Sequence, residues 1–158
     1  MKILKRNLFI KSFVLMLAVL ALGSCKKSSD DGSDSVGAGK GTFKINGQTY
    51  SGICASSPAI SGVAGNIDVV IAVESGASFT IYNMPTGSGG SSNVVNFNDT
   101  DVAYSPQLYA ISILGQATLY HSVSGTVTKT GSNAYKFDIS MLDVMNNTSV
   151  SATGSGKY

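Results

Sequence analysis

Between residues 41 and 158 no apolar pattern repeats at the helical period, while alternation with a period of two recurs between closely spaced turns. Tyr135, Phe137, Ile139 and Met141 alternate with Lys136, Asp138 and Ser140, the pattern of a half-buried antiparallel strand. Ile67, Val69, Ile71 and Val73 share one face of a second run, and Val70 and Ala72 make its other face apolar as well. That two-sidedness predicts a central, covered strand. Turn signals recur about every eight to twelve residues, as in sandwiches and barrels. The expected fold is all-β: an antiparallel β-sandwich or partly open β-barrel of about 8–10 strands.

Taken in order, residues 42–46 alternate and Asn46-Gly47 follows, a hairpin signal because both central residues of a type I′ turn need positive φ. Residues 48–54 supply the return strand, and residues 56–66, with Pro58, a loop or irregular edge. Glu74-Ser75-Gly76 turns into a strand over residues 79–82. Residues 84–93 (MPTGSGGSSN) predict a mobile loop, residues 94–97 a short strand and residues 98–101 a polar corner. Residues 107–114 form a strand with Tyr109, Ile111 and Ile113 on one face, and Gly115-Gln116 turns into another. Gly125 within the run 122–129 marks a bulge or bend. Residues 130–133 turn, and Asn146-Asn147 leads into residues 148–158, whose small side chains suit a tightly packed or edge strand.

The first 24 residues have a different character. Lys2, Lys5, Arg6 and Lys11 precede the apolar run 12–22, and Gly23-Ser24 supplies small residues before Cys25. The run is shorter than the ~20 residues of a membrane span, so a cleaved signal peptide is expected. Leu22-Gly23-Ser24-Cys25 has the form of a lipobox, which makes Cys25 the expected site of lipid attachment. Each buried methylene of an acyl chain adds roughly 0.8 kcal/mol, so two or three chains anchor a protein durably. Residues 26–40 (KKSSDDGSDSVGAGK) lack the apolar surface to offset ordering entropy and predict a flexible linker. Three parts follow: signal peptide 1–24, lipidated cysteine and linker 25–40, and an all-β domain 41–158.

The start of the domain, Phe43-Lys44-Ile45-Asn46-Gly47-Gln48-Thr49-Tyr50, resembles the first hairpin of small Bacteroidota lipoproteins of unknown function, some of them lipocalin-like. Cys25 followed by Ser28-Ser29-Asp30-Asp31 is similar to the opening of the same proteins, as are the strand Ser124-Gly125-Thr126-Val127 and the Gly-rich close. The resemblance implies attachment to the outer membrane, on its periplasmic face or at the cell surface, and brings no catalytic residues.

Charge narrows the partners. Without the leader the chain keeps seven lysines, no arginine and nine acids, a net −2, and no basic cluster of the kind nucleic acid requires. With Cys25 lipidated, Cys54 has no partner for a disulfide and is expected to be a buried thiol. His121 is the only histidine, and no Gly-x-Ser-x-Gly element accompanies it; a hydrolase would have to be built from Asp99, Asp101 and His121. Asn96, Asn98, Asp99 and Asp101 are the best calcium candidates but lack the EF-hand pattern. Gly87–Gly90 (GSGG) has no lysine or helix after it and is expected to be a loop rather than a phosphate cradle. Tyr82, Tyr104, Tyr109 and Tyr120 either stack sugars on one sheet face or pack in the core. The resulting expectation is a lipid-anchored, non-catalytic binding or envelope-associated module without cofactor. Its partner is a glycan, a small molecule or an envelope protein, and the alternative is a structural component of an outer-membrane complex.

Overall fold

The computed structural model describes residues 39–60, 63–87, 89–99, 108–114 and 118–158; the leader, Cys25, the linker before residue 39, Asp101 and Tyr104 lie outside them. The described residues form nine strands: β1 Lys40–Ile45, β2 Gln48–Pro58, β3 Asn66–Ala72, β4 Ser78–Pro85, β5 Gly90–Val94, β6 Tyr109–Leu114, β7 Thr118–Gly131, β8 Ala134–Asp143 and β9 Thr148–Lys157. A 3-10 turn, Phe97–Asp99, follows β5. Among the described residues no helix is long and apolar enough to cross a membrane.

All pairings are antiparallel. The order β7-β6-β4-β3-β2-β1-β9-β8 closes on itself through β7–β8, so eight strands make a closed barrel and β5 is an additional outer strand on β7. The barrel alternative is thus the observed one, and it is closed rather than partly open. Closure depends on β1 pairing with β9, Lys40 opposite Lys157 and Ile45 opposite Ala152.

Several boundaries differ from expectation. β2 continues to Pro58, because residues 53–58 find a partner in β3 across the run 67–72. Residues 84–93 are not one loop: Met84 and Pro85 end β4, and β5 begins at Gly90. Residues 94–97 are not a strand either, since β5 stops at Val94 and the chain curls at Phe97. β5 and β6 lie in line along one edge of β7, opposite residues 125–129 and 118–121 respectively. Ser122 joins them: its hydroxyl accepts from the Ala110 N–H and donates to the Val95 carbonyl.

Other expectations hold. Asn46 and Gly47 have φ of 50° and 79°, the positive values a type I′ turn requires. Gly125 has φ 143° beside a register shift between Ser122 and Ser124, the expected bulge. β9 is tightly packed between β1 and β8 and is not an edge.

Direct cross-strand partners point to the same side of a sheet, which separates inner from outer side chains. Phe43, Ile45, Val69, Ile71, Phe79, Ile81, Phe137, Ile139 and Met141 face inward and are at most 4% exposed. The Phe79 ring on β4 meets Phe43 on β1 at 5.5 Å and Phe137 on β8 at 4.4 Å between centroids. Rings from separate walls therefore touch in the middle. Eight strands enclose a space that side chains just fill, and these side chains fill it.

Candidate functional site

With aromatic rings meeting across the interior, the polar groups of this barrel are displayed on its outer surface, and register lays out their chemistry. Thr42 on β1 lies opposite Ser51 of β2 and Ser155 of β9; Ser155 faces Lys136 of β8, which faces Thr128 of β7, which faces Ser91 of β5. One step along, Thr49, Lys44, Thr153, Asp138, Thr126 and Asn93 form a second row over the same six strands. Adjacent strands are ~4.8 Å apart, so each row presents hydroxyls, amides and charges at that spacing. The Ser91 and Thr128 hydroxyls bond to each other at 2.7 Å.

At the turn end of these rows a depression of about 470 Å³ lies between the first hairpin and β9, lined by Lys44, Asn46, Gly47, Ser149, Val150, Ser151 and Thr153. Its polar groups are one ammonium, one amide and three hydroxyls. Such a set donates to and accepts from a neutral polyol and adds one cation. No aromatic ring lines it, so it offers hydrogen bonds rather than ring stacking.

The tyrosines do not form one platform. Tyr82 and Tyr109 stack on the outer face at 4.7 Å and are 2% exposed, while Tyr120 faces inward opposite Ser112. Tyr104 lies outside the described residues. Phe97 meets Tyr109 edge-on at 5.7 Å and His121 at 3.9 Å, so the only histidine is in ring contact. Asp99 is exposed on the 3-10 turn, and Asp101 lies outside the described residues. Of the calcium candidates, Asn96 uses its side-chain carbonyl to accept from the Asn98 N–H at 2.9 Å. Among the described residues no group of three or more His, Cys, Asp or Glu could hold a metal ion.

One polar group was passed over in the sequence. Asp68 lies in the most apolar run, on the outer face of β3, and is 1% exposed. Its Oδ2 accepts from the Ile60 N–H at 2.9 Å and its Oδ1 from the Asn83 N–H at 3.0 Å. Burial pushes this carboxyl up, against the pull of the two amides. Burial also pushes Tyr109 up, with smaller contributions from the Tyr82 and Asp68 charges. A lone acid inside IDVVIAV was the available signal. Cys54 is buried as expected, with Sγ 3.6 Å from the Tyr135 hydroxyl, and burial raises the thiol's pKa. A protonated, enclosed thiol is a poor nucleophile.

Comparison with protein-family models, with curated proteins and with solved structures returns no match. The functional reading therefore rests on the geometry above and on the sequence of residues 1–40.

Proposed function

We propose that this chain is a lipid-anchored envelope module, fastened through Cys25, that binds a polar polymer such as a glycan on the outer face of β1, β9 and β8 without transforming it. The observation that carries the reading is the pair of in-register polar rows ending in the Lys44–Thr153 depression, on a barrel whose interior is occupied by Phe43, Phe79 and Phe137. A barrel that carries small apolar ligands keeps a chamber for them; here rings meet at that level, which favours an external, hydrogen-bonding ligand. The all-β barrel is consistent with a lipocalin-like fold, with the binding surface moved from lumen to wall.

Thermal-shift and titration panels of glycans, apolar ligands and calcium test this. A shift of several degrees with one glycan class, lost in Ser151→Val/Thr153→Val, supports it. A shift with apolar ligands alone, or none with any glycan, overturns it. A protein-interaction role has its own observation: Val144 and Met145, at the tip of the β8–β9 turn, are 41% and 73% exposed. Loss of a stoichiometric envelope partner in Met145→Glu would favour that reading instead.

A further inference from the structure

We infer that the end of the barrel where the chain enters β1 is a docking edge for an anionic bilayer surface. The inference deepens the lipid-anchored reading above, on which it rests for the nearness of the membrane. Register sets Ile53, Lys40 and Lys157 side by side across β2, β1 and β9, all facing outward and all exposed. Lys136, on β8, stands one step along from Ala134, which pairs with Lys157.

Two features of this row have no structural purpose in the barrel. Lys40 and Lys157 are direct cross-strand partners, and like charges in that position are destabilising. Lysine is often placed on a sheet to guard an open edge, but β1 and β9 are paired on both sides. Among the described residues none of the three lysines has an ion-pair partner; the acids of this sector are Asp138, one step beyond Lys136, and Glu74, in the turn that follows Ala72, the partner of Ile53. Lys129, the remaining lysine at this end, is engaged with Tyr158, donating to its hydroxyl at 2.6 Å.

The second feature is Ile53, one of only three large apolar side chains exposed among the described residues. An apolar side chain flanked by lysines suits a headgroup boundary, where the chain enters the acyl region and the ammonium groups remain among phosphates. Charge complementarity alone would also suit the acids Asp30, Asp31 and Asp34 of the chain's own linker. The exposed isoleucine favours lipid. Each lysine near an anionic surface contributes about a fivefold gain in partition, so three give about a hundredfold.

The test uses the chain from residue 25 with Cys25→Ser, so that no acyl group anchors it; every strand lies within Lys40–Lys157 and is retained. Co-sedimentation is measured with vesicles of neutral phosphatidylcholine and with vesicles containing 30% phosphatidylglycerol, an experimental choice of about that fraction. Binding to the anionic vesicles alone is expected, weakened by salt as screening shortens. It should fall about a hundredfold in K40Q/K136Q/K157Q and several-fold in Ile53→Ser, and stay within about twofold in Thr148→Ala, at the other end of β9 from Lys157. The triple variant should melt no lower than the wild type, because a like-charge pair has been removed. Equal binding by the triple variant and the wild type overturns the inference. So does a wild-type chain that ignores the vesicles while D30N/D31N/D34N binds them, since the linker then covers the row. Fatty-acid labelling at Cys25 is scored separately: an acylated chain without vesicle binding refutes the docking edge and leaves the anchor standing.

Discussion

Asp68 is the residue whose removal reaches furthest. Its two oxygens take the amides of Ile60, at the end of β2, and of Asn83, where β4 bulges with φ 60°. The register of β3 on β4 shifts between Ile67 and Val69, so the carboxylate holds together a place where strand pairing alone leaves amides unused. Asp68→Ala should cost on the order of 2–4 kcal/mol, the penalty for two orphaned N–H groups, measured by urea unfolding. Asp143 behaves differently. Hydrogen bonds from Asn146, side chain first and backbone next, hold its carboxyl below the usual 3.8, and the Met145 amide adds to them. A lowered folded pKa gives stability that is complete above the unfolded value and lost as pH falls through the folded one. Asp143→Ala should therefore unfold more readily than the wild type at neutral pH, and the gap should close as the solution is acidified below about pH 3.8. Equilibrium unfolding at a series of pH values reads both limbs. Asp68 was visible in the sequence as an acid in an apolar run, but its partners depend on a loop and a bulge that no local pattern announces.

Strand identity was legible wherever one face is apolar. The alternation of 135–141 and the doubled apolarity of 67–73 both survive in the barrel, with Val70 and Ala72 buried on the outer side. β5 and the far half of β2 were not legible, since GSSNV and ASSP carry no apolar alternation and are strands because β7 and β3 accept them. The polar rows were hidden for the same reason: each Ser or Thr was visible, but their alignment needs five registers. β9 shows what its small residues are for. A Cβ built at Gly154 would lie 2.5 Å from the Phe137 ring, and one at Gly156 would lie 2.6 Å from the Tyr135 hydroxyl. The aromatic rings of β8 lie over the bare backbone of β9. Gly154→Ala should destabilise by about 1–3 kcal/mol through overpacking, read as a lower denaturant midpoint with unchanged slope.

At the scale of the whole molecule the question is what closing the barrel achieves. A sandwich of the same strands would keep open edges; pairing β1 with β9 removes them from the eight barrel strands and forces the inward side chains to a common axis. Nothing local in the sequence signals a pairing between the first strand and the last, which is why sandwich and barrel were not separable before. The consequence is a filled centre, and the binding role proposed above falls to the wall. Phe79 is the test of that division, because its ring touches both Phe43 and Phe137. Phe79→Ala should cost about 3–5 kcal/mol, the sum of lost transfer energy and the void left behind. The void would be lined by Phe43, Ile81 and Phe137 and so would be apolar, and apolar voids of that kind stay dry and admit benzene. Benzene should then raise the melting temperature of Phe79→Ala and leave the wild type unchanged. A benzene shift of equal size in the wild type would mean that the interior already holds a chamber, and would return the ligand from the wall to the lumen.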